Sequence, residues 1–125
     1  MDKKKILVVE DETPLLNALC DKLNKENFDA YGAKNGLEGL EIIKTNKPHL
    51  IIMDVVMPVM DGLTMLYNLK TDPEMKDIPV IILSNLSDSE DILKAMERST
   101  YDYLIKSDVS LEEVVTRIKN RLGMI

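Results

Sequence analysis

The sequence predicts an α/β fold in which one parallel sheet is covered by helices on both faces. Five short, largely apolar segments have the pattern of buried strands, at residues 6–9, 28–32, 50–53, 80–83 and 103–105. Amphipathic segments with helical spacing separate them, so strands and helices alternate along the whole chain. Strict alternation with short connections is typical of a doubly wound, five-stranded parallel sheet, and right-handed crossovers leave few possible topologies.

The first predicted helix follows the first strand, with Thr13 as its N-cap and Pro14 in its first turn. The N–H group that proline lacks has no helical partner at that position, so it costs nothing there. An apolar stripe then follows at helical spacing: Leu15, Leu16, Leu19, Cys20 and Leu23. This stripe predicts that the helix packs on one face of the sheet.

The second helix is predicted from about Leu37 to just before Pro48, and the third follows Asp61-Gly62 and ends near Asp72-Pro73. The fourth and fifth each begin with a capping box, in which a serine precedes a glutamate by three residues. These pairs are Ser87 with Glu90 and Ser110 with Glu113.

Length and composition limit the classes of function. A chain of 125 residues fits one domain, 1–125, with an unaided core. Its single cysteine excludes an internal disulfide, and its formal net charge of −6 disfavours direct binding to nucleic acid. No apolar segment resembles a signal peptide or a membrane span, so we expect a cytoplasmic protein without a membrane partner.

Polar residues stand at the carboxyl ends of four predicted strands: Glu10 with Asp11, Asp54, Ser84 and Lys106. Ligands of open parallel sheets bind at this edge. Asp54 is the only charged residue between Leu50 and Met60, and burying a carboxylate is costly unless it is paired. Several carboxylates at one edge would attract a divalent cation. Taken alone, the acidic residues after the first strand would also suit the positive N-terminus of the following helix.

The sequence resembles the receiver domain of bacterial two-component response regulators, in its stand-alone, chemotaxis-regulator-like form. The resemblance spans essentially the whole chain. Its features occur in order at the expected strand ends: the acidic pair Glu10-Asp11, Asp54, Met57-Pro58 with Met60-Asp61-Gly62, Ser84 and Lys106. The resemblance implies the flavodoxin-like strand order 2-1-3-4-5 with five helices.

It also implies that Asp54 accepts a phosphoryl group from a histidine kinase or a histidine phosphotransfer protein. Mg²⁺ would assist, with Asp11 and Asp54 as direct ligands, Glu10 acting through water and the Val56 backbone carbonyl completing the protein ligands. Lys106 would contact one phosphoryl oxygen as a positive point charge.

Ser84 would donate its hydroxyl to another phosphoryl oxygen, and Tyr103 would turn inward behind it. The face formed by the fourth helix, fifth strand and fifth helix would then change its affinity for a downstream protein. Because no further domain follows the fifth helix in this sequence, we expect a stand-alone switch, although the sequence does not exclude a receiver excised from a longer protein. Its catalysis would be limited to its own phosphorylation and slow dephosphorylation.

Several residues depart from the family pattern. Ser107 follows the lysine where the family usually has proline and a cis bond; a cis bond before a non-proline residue is costly, which favours a trans Lys106–Ser107 bond without deciding the isomer. Asn85 replaces a small residue and would narrow access to the site, and the turn at 99–101 would be remodelled. Val56 and Leu86 flank the site with apolar side chains that cannot orient water, which predicts slow self-dephosphorylation.

Three other functions fit parts of the sequence. A phosphatase with an aspartyl nucleophile would need a second acid where Val56 stands. A flavin module would need a phosphate loop where the acidic residues 10–12 would repel phosphate. A degenerate receiver, acting as a phosphorylation-independent protein-binding module, is favoured by Ser107 and Asn85.

Overall fold

The computed structural model describes residues 2–85 and 102–125. It contains a parallel five-stranded sheet in the order β2-β1-β3-β4-β5, which confirms the predicted fold and strand order. The strands are β1 (Lys5–Val9), β2 (Asp29–Ala33), β3 (Leu50–Met53), β4 (Val80–Ser84) and β5 (Asp102–Ile105). The helices are α1 (Thr13–Lys25), α2 (Gly36–Asn46), α3 (Gly62–Thr71) and α4 (Leu111–Arg121), the last being the fifth predicted helix. The fourth predicted helix, Leu86 and the turn at 99–101 lie outside the described residues.

The two faces of the sheet carry separate cores because successive strand side chains point to opposite sides. Ile6 and Val8 of β1 pack with apolar residues of α1 and α4, whereas Leu7 and Val9 pack with residues of α2 and α3. Strands β1, β3 and β4 are almost wholly buried, as strands of a sheet covered on both faces are. Polar groups at their ends are therefore held on a rigid support.

One predicted helix cap is confirmed and another is wrong. The capping box of α4 is confirmed, because Ser110 Oγ accepts the Glu113 N–H at 3.1 Å and the Glu113 carboxylate accepts the Ser110 N–H at 3.4 Å. The prediction that Thr13 caps α1 is wrong, since the N-cap is Glu12 and Thr13 is the first helical residue. The Glu12 carbonyl accepts the Leu16 N–H at 2.9 Å, so the first helical hydrogen bond starts one residue earlier than expected.

Strand boundaries differ from the prediction by one residue in four of the five strands. Strand β1 begins at Lys5, one residue earlier than predicted. Strand β2 covers Asp29–Ala33 rather than 28–32, and Phe28 is buried in the core just before it. Ser84, expected to follow the fourth strand, is its last residue and pairs with Ile105. Strand β5 begins at Asp102, paired with Ile81, because parallel pairing continues past the apolar segment.

The loop from β3 to α3 folds back tightly onto the end of β3. The Gly62 N–H donates to the Val55 carbonyl at 2.7 Å, and a Cβ on Gly62 would lie 2.2 Å from the Asp54 carbonyl oxygen. Only glycine allows so close an approach. Asp61 caps α3 by accepting the Thr64 N–H at 2.8 Å, which fixes the loop at both ends.

Within residues 2–85 and 102–125, no helix combines the length and the apolar character needed to cross a bilayer.

Candidate functional site

Glu10 and Asp54 lie side by side because they follow the last residues of two adjacent strands. Val9 of β1 is in register with Met53 of β3, and the Asp54 N–H donates to the Val9 carbonyl at 3.0 Å. The Glu10 N–H donates to the Ala33 carbonyl at 2.9 Å, so the backbone of Glu10 is held to the end of β2 on the other side of β1. Sheet pairing thus brings together two acidic residues that are far apart in sequence.

Asp54 is 6% exposed, and both of its carboxylate oxygens are paired. Oδ1 accepts hydrogen bonds from the Val55 N–H at 2.7 Å and from Ser84 Oγ at 2.9 Å. Oδ2 accepts from Lys106 Nζ at 2.8 Å. These partners offset the cost of burying the charge, and they hold the carboxylate in one orientation.

Lys106 reaches into the site from the residue after β5, and its own N–H donates to the Ser84 carbonyl at 2.9 Å. Its Nζ lies 2.9 Å from Glu10 Oε1 and 3.5 Å from Glu12 Oε2, in addition to its contact with Asp54. Burial alone would lower the pKa of Lys106, but the hydrogen bonds to Asp54 and Glu10 outweigh it and hold that pKa above the usual range. The ammonium is therefore a permanent charge at this site. The Lys106–Ser107 bond is trans.

Glu10 is the most buried acid of the site, at 2% exposure. Burial raises its pKa from 4.5 to about 7, against the lowering effect of the hydrogen bond from Lys106, and the negative charge of Asp54 adds to the increase. Its Oε1 also accepts the Glu12 N–H at 3.1 Å. Glu10 thus shares the Lys106 ammonium with Asp54, a contact that the sequence did not predict.

In the part of the chain that the structure describes, three carboxylates could hold a cation at this edge. Glu10, Asp11 and Asp54 each offer an oxygen, and these oxygens lie within 4.8 Å of one another. Mg²⁺ prefers such hard oxygen ligands, so the chemistry of these donors suits this ion. Asp11 is exposed and has no hydrogen bond or ion pair within the described residues, so its carboxylate is available.

The remaining predicted residues surround this cluster. The Val55 carbonyl is occupied by Gly62, whereas the Val56 carbonyl accepts no hydrogen bond in the part of the chain that the structure describes. The Val56 side chain is 59% exposed, and Asn85 is exposed as well. Tyr103 is partly buried and packs against the core on the α2–α3 side.

Two further contacts were not anticipated from the sequence. The hydrogen bond from the Val55 N–H to the Asp54 carboxylate joins adjacent residues, and no residue type in the sequence indicates it. The ion pair of Glu12 with Lys106 could have been suspected. Glu12 directly follows Glu10-Asp11 in sequence, and Lys106 was predicted at the same edge of the sheet as these acids.

Known proteins are similar to this chain in sequence and in fold. The chain is 34% identical over 125 residues to the probable transcriptional regulator ycf27 of Porphyridium aerugineum, covering 100% of this chain and 50% of that protein. Its structure is similar to a putative response regulator from Chloroflexus aurantiacus, with a TM-score of 0.86, 29% identity, and 98% and 99% of the two chains covered.

A third structure has a similar fold at lower sequence identity. The receiver domain of the sensor histidine kinase PA1611 from Pseudomonas aeruginosa PAO1 has a TM-score of 0.85 at 20% identity, with 98% and 99% of the two chains covered. Residues 6–119 match the response regulator receiver domain family. With that match covering nearly the whole sequence, and with acids, serine and lysine gathered at one sheet edge, the chain belongs to the response regulator receiver domain family.

Proposed function

We propose that this chain is a phosphorylation-dependent signalling switch in which Asp54 accepts a phosphoryl group. The observation that carries the proposal is the environment of this one carboxylate. It is buried and oriented by Ser84 and Lys106, and it lies beside two further acids. Receiver domains pair with histidine kinases or phosphotransfer proteins, so a phosphohistidine on such a protein is the proposed donor.

In the proposed reaction, an Asp54 carboxylate oxygen attacks phosphorus and the bond from phosphorus to the donor imidazole nitrogen breaks. An acyl phosphate forms on Asp54, and the imidazole leaves with the electron pair of that bond. Positioning and charge neutralisation supply most of the acceleration of phosphoryl transfer. Lys106 supports the developing phosphoryl charge from its position 2.8 Å from Asp54 Oδ2.

We further propose that Mg²⁺ is held by Asp11 and Asp54, by Glu10 through water and by the Val56 carbonyl. When bound, the ion would neutralise charge on the carboxylates and on the incoming phosphoryl oxygens. The three carboxylates within 4.8 Å support this assignment. The PA1611 receiver domain, which has the same fold, holds a magnesium ion in its active site cleft.

The proposed response to phosphorylation starts at Ser84, whose hydroxyl would transfer from the carboxylate to a phosphoryl oxygen. Tyr103 would then turn inward, and the face that includes β5 and α4 would change its affinity for a downstream protein. An acidic chain of net charge −6 favours a protein over nucleic acid as that target. We place the protein in the cytoplasm and expect it to catalyse only its own phosphorylation and slow dephosphorylation.

Intact mass spectrometry after incubation with Mg²⁺ and acetyl phosphate tests the proposal. We expect one phosphoryl adduct in the wild type, loss of the adduct in Asp54→Asn, and loss in the wild type when EDTA replaces Mg²⁺. Absence of any adduct would instead favour a phosphorylation-independent binding module. Rapid turnover of many donor molecules per chain would indicate a phosphatase.

A further inference from the structure

Among the described residues, the Lys106 ammonium has three carboxylate neighbours, and one of them differs from the other two. Glu10 and Asp54 belong to the group of acids that could hold a cation, whereas Glu12 does not. Glu12 Oε2 nevertheless lies 3.5 Å from Lys106 Nζ. It is therefore the partner of this lysine that a bound cation leaves unchanged.

The backbone of Glu12 is fixed while its carboxylate is not used by the helix. Its carbonyl accepts the Leu16 N–H at 2.9 Å, and its N–H donates to Glu10 Oε1 at 3.1 Å. Although Glu12 is the N-cap of α1, its side chain makes no capping hydrogen bond. The carboxylate is thus held close to the site and remains available for Lys106.

The carboxylates of Glu10 and Asp54 have competing roles. In this structure they neutralise the lysine, but in the proposed function they would also hold Mg²⁺. Oxygens that share their charge with a divalent cation attract an ammonium less strongly. Lys106 would then be held less firmly at the moment when it is needed beside the phosphoryl group.

We propose that Glu12 is a positioning residue that keeps the Lys106 ammonium at the phosphoryl site while Glu10 and Asp54 hold the cation. This inference depends on the proposed function of Asp54 and Mg²⁺. Glu12 contacts neither the phosphoryl group nor the ion in this scheme, and it acts only through Lys106. Its effect should therefore vanish when the lysine is absent.

The test compares Glu12→Gln with the wild type in the full chain, with acetyl phosphate as donor. The maximal phosphorylation rate at saturating Mg²⁺ and donor is measured by intact mass, and the Mg²⁺ dissociation constant is measured by calorimetry. We expect the maximal rate to fall about two- to five-fold, the range for a half-exposed ion pair, with a smaller change in Mg²⁺ affinity. Glu41→Gln removes an equal charge from an exposed carboxylate on α2 and should match the wild type.

A second comparison, in a protein that lacks the Lys106 ammonium, distinguishes a positioning role of Glu12 from a general effect of its charge. In Lys106→Met, adding Glu12→Gln should leave the residual maximal rate unchanged, because there is no ammonium left to hold. An equal fall in rate with and without Lys106 would overturn the inference, as would a wild-type rate in Glu12→Gln alone. If the wild type itself forms no adduct at Asp54, the proposed function fails first and this inference fails with it.

Discussion

Ser84 Oγ donates a hydrogen bond of 2.9 Å to Asp54 Oδ1, across 30 residues of sequence and at the ends of two paired strands. The serine is fully buried, so water cannot replace this donor easily. The hydroxyl is thus in contact with the predicted phosphoryl acceptor before any phosphorylation. Strand pairing alone, without a conformational change, brings the two side chains together.

This contact predicts that Ser84→Ala lowers the free energy of unfolding by about 1.5–3 kcal/mol, the range for a hydrogen bond to a charged group. In an Asp54→Asn background the partner is neutral, so the same change should cost only about 0.5–1.5 kcal/mol. Urea unfolding of the four proteins measures both values. Equal losses in the two backgrounds would show that Ser84 acts through packing and not through the carboxylate.

Val59 predicts a gain of stability from a mutation. It has φ of 66° although it is β-branched, and its side chain is 77% exposed, so little packing is lost when it is removed. The left-handed region costs such a residue about 1–2 kcal/mol, whereas glycine adopts it freely at an entropy cost of about 0.5–1 kcal/mol. Val59→Gly should therefore raise the free energy of unfolding by about 0.5–1 kcal/mol. The matched change Val56→Gly, at a residue without positive φ, should lower it.

Gly62 predicts the opposite outcome. A Cβ there would lie 2.2 Å from the Asp54 carbonyl oxygen and 2.8 Å from the Val55 Cα, and backbone atoms cannot yield as a side chain can. We expect Gly62→Ala to lower the free energy of unfolding by at least about 3 kcal/mol. Gly32→Ala is the control, since the atoms nearest to its Cβ belong to the flexible Leu16 side chain, at 3.2 Å or more. Similar unfolding midpoints for the two variants would contradict this account of the loop.

The sequence was sufficient for the fold and for much of the site because both depend on periodic patterns. Alternating strands and helices determine the sheet, and the carboxyl ends of neighbouring strands must meet, which brings Asp54, Ser84 and Lys106 together. Finer features depend on tertiary contacts that no local pattern records. Thr13 was wrongly predicted as a cap because the carbonyl that starts a helix is selected by backbone geometry, which places Glu12 there. Which carboxylates pair with Lys106 likewise depends on side-chain rotamers, which the sequence pattern does not indicate.

Val56 predicts the lifetime of the phosphorylated form. Its apolar side chain is 59% exposed and stands two residues after Asp54, where a polar group could orient a water molecule for attack on the acyl phosphate. Phosphorylated Asp54 should therefore decay slowly, and Val56→Asn should decay faster. The decay is followed by intact mass after removal of the donor. Loss of the wild-type adduct within seconds, without a phosphatase, would refute the prediction.

Glu10 predicts how the stability of the metal-free protein changes with pH. Its pKa is about 7 in the folded chain and 4.5 in its ordinary range, so between these values the folded chain retains a proton that the unfolded chain has released. Unfolding then releases a proton, and the stability from this group, fully present below pH 4.5, is lost as the pH rises through about 7. Glu10→Gln removes the titration, so its stability relative to the wild type should rise between acidic and neutral pH by on the order of 2 kcal/mol. Urea unfolding in EDTA at several pH values measures this difference. Parallel pH profiles for the two proteins would mean that Lys106 keeps Glu10 ionised in the folded chain despite its burial.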